Sequence, residues 1–454
     1  MNDATETSFP EQNEHTPADR RNALVIVFLV VFIDLLGFGI VLPLLPLYTT
    51  DLLVPLMPSE SMRPWRGVVL GLLMASFSFM QFLCSPIWGR LSDRVGRRPV
   101  LLIGLTASVS FYALFGIASE IGAQGHHALA LALLFVSRLG AGIAGATIST
   151  AQAVIADSTP PENRAHGMAL IGAAFGIGFT FGPLLGFASL FVPRAGAPGF
   201  AAATFSLVAL ILALRLLPET LRTQGSAARK RWLDWQNLLV TLKTPSVGLL
   251  VMIFFLATWS FGSLESTLAL VNKVILNPDA DLHVELTKEA ARSTERYNFL
   301  IFAYVGMVLM LIQGFVYRRF VRRLGEIRFL RAGIVLLWLG FTSAVSVLLV
   351  RQSLADSGWL IPSALAAMTV AVVGFAFITP SVHALISNRS DPARQGEVLG
   401  VNQSAAALAR ILGPMCGPAL FFVGNSHIWP FVFGALMITV VFFLALRVQP
   451  ATAH

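Results

Sequence analysis

Twelve apolar runs dominate this chain, at roughly 23–48, 66–88, 99–118, 127–153, 165–190, 197–217, 246–272, 297–317, 329–350, 358–386, 396–424 and 427–447. A stretch of about 18 to 25 apolar residues crosses the hydrocarbon core of a bilayer as a helix. No water there can satisfy a free N–H or C=O, so a spanning segment is either a helix or a strand of a closed barrel. Barrel strands alternate polar and apolar residues, and these runs do not. Charged residues make up 12% of the chain and apolar ones 56%. A soluble domain is about a quarter charged, so lipid is the solvent for most of this surface. The expected fold is an all-α membrane protein with twelve transmembrane helices.

The net charge of +8 is placed for a membrane and not for nucleic acid. With the N-terminus inside, the inner segments hold 22 of the 32 Lys and Arg residues and the outer segments hold 8. Arg138 and Arg410 lie within runs. Basic residues concentrate on the cytoplasmic side of membrane proteins, so both termini are expected in the cytoplasm. Residues 1–22 read as a disordered cytoplasmic tail and 448–454 as a second tail. Residues 1–19 are polar, and the run after Arg20-Arg21 is too long for the core of a cleavable leader. Cys84 and Cys416 both fall inside runs, with no metal-ligand spacing around either.

Six runs (23–217) precede a polar segment, 218–245, and six (246–447) follow it. That segment reads as a cytoplasmic linker between two bundles. Three features repeat at an offset of 229 to 231 residues. Pro161 and Gly182-Pro183 recur as Pro392 and Gly413-Pro414. Arg-Val-Gly at 94–96 recurs as Arg-Leu-Gly at 323–325, and Asp34 is matched by Glu265. Two pseudo-symmetric six-helix bundles, with a substrate site between them, fit such repeats.

Between the second and third runs lies Gly89-Arg-Leu-Ser-Asp93-Arg94-Val-Gly96-Arg97-Arg98-Pro-Val. So short a connection makes its flanking helices an antiparallel pair, with Gly89 and Gly96 expected to allow the turns at either side. The pattern Gly-x-x-x-Asp-Arg-x-Gly-Arg-Arg resembles the signature loop between helices 2 and 3 of the major facilitator superfamily. In the second copy Arg322 stands where Asp93 would be, so a gating role falls to Gly89, Asp93, Arg94, Gly96, Arg97 and Arg98. Asp93 with Arg94 and Arg97 is expected to lock the cytoplasmic side by pairing with helix ends of the opposite half.

Four ionisable residues sit well inside runs: Asp34, Arg138, Glu265 and Arg410. A charge at the centre of a bilayer costs at least about 2.5 kcal/mol, so these face a cavity or each other. Two acids and two bases make the natural pairs Asp34 with Arg138 and Glu265 with Arg410. Burial raises a carboxyl's proton affinity and a guanidinium lowers it. A moving arginine can therefore switch a carboxylate between protonated and ionised states, which is what proton coupling or substrate contact needs. The other reading of each pair is a static link between helices.

The fifth run carries Gly178, Gly182, Pro183 and Gly186. Small residues four apart allow close approach of helices and a proline bends them, as a rocking interface between halves requires. Gly413 and Pro414 offer the same in the second half. Gln152, Trp259, Phe261, Gln313, His383, Asn402 and Gln403 are candidates to line the cavity. Gly140-Ala-Gly142-Ile-Ala-Gly145 spells a dinucleotide fingerprint, but it sits in an apolar helix and not after a strand. No phosphate-binding loop of the Gly-x-x-x-x-Gly-Lys-Ser/Thr type is present. Nothing points to an enzyme, a metal site or an organic cofactor.

The resemblance extends over about 25–447. Phe32-Ile-Asp34-Leu-Leu-Gly37-Phe-Gly39 through Pro43 and Pro46 looks like the opening of tetracycline-exporter-like drug:proton antiporters. Arg138-Leu-Gly140-Ala-Gly142 matches the helix 4 motif whose arginine that family associates with proton transfer. Gly178-x-x-x-Gly182-Pro183-x-x-Gly186 matches the helix 5 antiporter motif, with Phe187 where a second glycine is usual. Helix 11, from Gln395-Gly396-Glu397 to Gly413-Pro414, resembles the same group. In helix 7, Phe261-Gly-Ser-Leu-Glu265-Ser-Thr-Leu looks closest to animal tetracycline-transporter-like proteins, for which organic-anion transport has been proposed. The chain departs from tetracycline exporters proper in having no acid in Thr106–Gly116 or Phe329–Val350.

The resemblance implies a proton-coupled secondary transporter that exports small amphipathic or drug-like molecules by alternating access. The proton would be its coupling ion and lipid its solvent, and a monomer could house the mechanism. The expected location is the cell membrane, the inner one in a bacterium. The alternatives are an organic-anion uniporter or symporter of the same fold, and a membrane scaffold or sensor.

Overall fold

The computed structural model describes residues 17–159, 164–221, 245–277, 287–390 and 395–448. Every apolar run is helical. In the first half the helices are α1 (Pro17–Val41), α2 (Leu45–Leu56), α3 (Arg63–Val95), α4 (Arg97–Ala123), α5 (His127–Gly145), α6 (Ile148–Ser158), α7 (Arg164–Ser189) and α8 (Ala197–Leu216). In the second half they are α9 (Pro245–Leu276), α10 (Lys288–Leu311), α11 (Arg318–Leu324), α12 (Glu326–Leu349), α13 (Arg351–Asp356), α14 (Leu360–Arg389), α15 (Gln395–Phe421) and α16 (Trp429–Leu446). Among the described residues, 11 helical stretches are long and apolar enough to cross a bilayer, and the apolar part of α7, Gly176–Ser189, is shorter.

Local chemistry explains the breaks. The first span is two helices because Pro43 has no N–H to donate and Pro46 then starts α2 within its first two positions. The eighth span passes from α10 to α11 through a π turn at Ile312–Tyr317. Helix α1 begins at Pro17, inside the stretch expected as a tail, and residues 1–16 lie outside the described residues. So does most of the expected linker, of which 218–221 are described and non-helical.

The repeat seen in the sequence is a repeat of packing. Helix α1 packs on α7 as α9 packs on α15. Likewise α4 packs on α5 and α8, and α12 packs on α14 and α16. Gly96 and Gly325, at equivalent corners, share a left-handed backbone with φ of 106° and 80°, a conformation that only glycine adopts cheaply. Gly89 makes no turn: α3 runs through it to Val95, so the short connection is a single corner at Gly96.

The halves meet along two helix pairs, α3 with α15 and α7 with α10, which the pseudo-twofold exchanges. We call the side carrying Gly96 and Gly325 the loop face and the opposite side the far face. Contacts between halves concentrate toward the far face. Lys273 Nζ on α9 pairs with Asp51 Oδ1 on α2 at 3.0 Å. Asn298 on α10 donates to the carbonyl of Pro43 and accepts from Asn272 at 2.8 Å. Arg63 reaches Asn425 at 2.5 Å. Among the described residues, these polar contacts between the halves hold the far face closed.

Candidate functional site

Arg138 is 2% exposed on α5. Its guanidinium carbon lies 4.6 Å from the ring centre of Phe77 on α3 and 5.7 Å from that of Phe38 on α1. The two rings are themselves 5.0 Å apart. The negative faces of aromatic rings attract a cation by about 2 kcal/mol or more when both are desolvated. Its Nε and Nη1 have no hydrogen-bond partner among the described residues. Two aromatic rings therefore flank this cation. Asp34 lies one helical turn before Phe38 on α1, and its side chain lies outside the described residues.

The second pair is arranged differently. Glu265 on α9 and Arg410 on α15 are near enough for their charges to interact, yet no salt bridge joins them among the described residues. Arg410 has protein on every side and is nevertheless solvent-accessible. That combination describes a side chain on the wall of a cleft within the protein.

At the loop face the acids and bases pair within one half. Arg97 is 8% exposed. Its Nη1 bonds Asp93 at 2.5 Å and Ser92 at 2.7 Å, and its Nε bonds Asp157 on α6 at 3.1 Å. Asp93 thus pairs with Arg97 beside it, and not with the opposite half as expected. Arg94 is exposed and Arg98 donates to the carbonyl of Leu214 at 2.7 Å. Glu219, just past α8, completes the corner. Its Oε1 accepts from the backbone N–H of Arg97 (2.9 Å), Thr220 (2.9 Å) and Leu221 (3.0 Å), and its Oε2 from Arg98 (3.1 Å). A carboxylate at the start of α4 satisfies orphan donors and complements the helix dipole. Glu219→Ala is expected to lower stability by about 2 kcal/mol, read as a lower unfolding midpoint of the purified protein, while Glu219→Asp keeps part of it.

Of the expected hinge glycines, Gly178, Gly182 and Gly413 pack inside their own halves. A Cβ on Gly178 would meet Leu35 Cβ at 2.7 Å, and one on Gly182 would meet Gly39 Cα at 2.8 Å, both on α1. Pro183 also lies against Gly39, and Gly413 faces the backbone of Gly262. At the junction between halves lie Gly67 and Gly71, whose Cβ atoms would run into backbone of Pro414, Met415 and Pro418, Gly306, which abuts Phe179, and Gly186, which faces the ring of Phe299.

The remaining cavity candidates divide. Gln152 and Gln403 are exposed, and Gln313 is half-buried on the π turn. Trp259 lies 5.6 Å from Phe255 and 5.7 Å from Phe433. Phe261 stacks on Phe375 at 4.0 Å, and Asn402 is fully buried with its amide unpartnered among the described residues. His383 lies edge-on to Phe254 at 4.9 Å, with Nε2 unpartnered.

The sequence profile of the Major Facilitator Superfamily matches residues 27–414. The chain belongs to this family. Among its relatives are the class C tetracycline resistance protein of Escherichia coli, 31% identical over 89% of this chain and 91% of that one. Human major facilitator superfamily domain-containing protein 10 is 28% identical over 92% and 91%. The solved structure of human MFSD10 (TETRAN), described as an organic anion transporter, aligns over 95% of this chain and all of its own, with TM-score 0.57 and 26% identity. A D-xylose–proton symporter shares the fold, with TM-score 0.71 at 16% identity over 95% and 98%. Within this facilitator, Asp157, Glu219, Gly67, Gly71, Asn272, Lys273 and Asn298 were not singled out by sequence reasoning. Only the Gly-x-x-x-Gly spacing of 67 and 71 gave a signal.

Proposed function

We propose that this facilitator exports small amphipathic or drug-like molecules in exchange for protons, by alternating access between its two halves. What supports this most is Arg138, a buried cation held by rings, one turn of α1 away from Asp34. Protonating Asp34 removes the negative charge such a cation answers, so proton binding and the packing of α1 against α3 and α5 are coupled. Glu265 with Arg410 would do the same in the second half, or contact substrate. The basic loop face is cytoplasmic by charge distribution, so a state open there is the one in which an exporter loads. In the opposite state Asp93, released from Arg97, would meet the second half. No chemical reaction is catalysed.

One observation favours a second reading. Arg410 is accessible in the cleft and lacks a salt bridge, and a relative is described as an organic anion transporter. A carboxylate-bearing substrate would meet Arg410 directly, and the carrier would then be an anion uniporter or symporter.

The test uses full-length protein in liposomes with a pH-sensitive dye inside, an imposed pH gradient, and lipophilic cations, neutral drugs and organic anions as substrates. Exchange predicts substrate-triggered proton movement that Asp34→Asn abolishes. Proton movement that survives both Asp34→Asn and Glu265→Gln would remove these acids from the mechanism. Anion flux without proton movement would establish the second reading.

A further inference from the structure

A cavity of about 430 Å³ lies inside the second half alone, between α9, α10, α12 and α14. That is within the roughly 300–1,000 Å³ of small-molecule sites. Its walls are apolar apart from Asn272 and two tyrosines, and no charged side chain lines it. Tyr304 closes its inner end by bonding Thr369 on α14 at 2.8 Å. Its mouth carries Tyr297, Leu300 and Ile361, which are 49%, 44% and 43% exposed. Leu300 continues along α10 into exposed Met307 and Leu311, the spacing of one helix face. In a membrane-spanning helix that face meets lipid, so the mouth opens on hydrocarbon.

Above the mouth the same face turns charged, with Arg292 and Arg296 outnumbering Glu289. Arg292, Arg296 and Leu300 are four residues apart, which stacks them along α10 toward its far-face end. Both arginines are exposed and neither forms a salt bridge among the described residues, although Arg292 lies near enough to Glu295 for their charges to interact. Exposed Tyr297 and, at the start of α14, Trp359 mark the headgroup level, where amphipathic rings collect.

We propose that this cleft is a binding site for an anionic phospholipid of the far-face leaflet, with one acyl chain in the cavity and the phosphate against Arg292 and Arg296. An apolar cavity stays dry, so water is not its occupant. A hydrocarbon chain from the surrounding solvent fills it while meeting few polar groups, of which Asn272 and Tyr304 already have partners in Asn298 and Thr369. The basic stripe beside the mouth selects charge in the attached headgroup. The chain also rests on the segment of α9 that carries Asn272, whose amide links to Asn298 and Pro43 in the far-face closure.

The test is native mass spectrometry of delipidated, full-length protein offered phosphatidylglycerol or phosphatidylcholine of the same chains. The wild type is expected to retain phosphatidylglycerol preferentially. The preference falls about fivefold for each arginine removed in Arg292→Gln and Arg296→Gln. Ala344→Trp, which fills the cavity, removes one retained lipid whatever its headgroup. Phosphatidylglycerol should raise the unfolding midpoint of the wild type more than that of either the arginine double variant or the filled one. Equal retention of the two lipids, or unchanged preference in the exposed arginine double variant, overturns the site. So does a folded Ala344→Trp that keeps its full complement of lipid.

Discussion

Gly71→Val is expected to cost this facilitator at least about tenfold in transport while leaving it folded, by holding its far face open. A Cβ at Gly71 would sit 2.8 Å from the backbone carbonyl oxygens of both Pro414 and Met415. Those atoms belong to α15 in the other half, and backbone cannot rotate aside as a side chain can. The valine therefore clashes only when α3 and α15 are pressed together. Overpacking of this kind costs about 1–3 kcal/mol, and here it falls on one of two conformations. An equilibrium moves tenfold for each 1.4 kcal/mol of difference between its states. Spin labels at Ser59→Cys and Asn425→Cys, with Cys84 and Cys416 replaced, should report a longer separation across the far face. Gly176→Val is the control, because a Cβ there meets nothing within 4 Å. A Gly71→Val protein with normal flux and an unchanged far-face distance would show that α3 and α15 do not part during transport.

The helices were legible because lipid leaves the backbone few choices, whereas the faces of those helices were not. In a helix that is apolar all round, periodicity no longer says which side meets a partner. The sequence therefore marks Trp259 as a cavity candidate without announcing its ring contacts with Phe255 and Phe433. Glycine is also an ambiguous sign. Gly96 breaks the chain with a φ of 106°, while Gly89, seven residues earlier, sits within α3. Gly178 and Gly182 announced a close approach correctly, but spacing does not name the partner, and theirs is α1 of the same half. The acids at the loop-face corner escaped for a different reason. Asp157 and Glu219 are lone carboxylates whose partners at Arg97 lie 60 and 122 residues away in the chain.

Arg138→Met is expected to abolish proton-coupled flux and, at the same time, to raise the unfolding midpoint. Burying an ion carries an effective penalty of several kcal/mol. The rings of Phe38 and Phe77 return about 2 kcal/mol or more of that. The guanidinium is 2% exposed, and its Nε and Nη1 lack a hydrogen-bond partner among the described residues. Methionine has similar length, carries no charge and makes favourable sulfur–aromatic contacts of about 0.3–1.5 kcal/mol, so the same cage holds it at lower cost. Arg138→Lys keeps the charge but not the flat guanidinium that stacks between rings, and should be both inactive and less stable than Arg138→Met. Thermal unfolding and liposome flux on the three proteins separate the possibilities. A lower midpoint in Arg138→Met would mean that the arginine is there to join helices. A higher midpoint with lost flux would mean that a destabilising charge is kept at the junction of α1, α3 and α5 because transport needs a cation whose partner comes and goes.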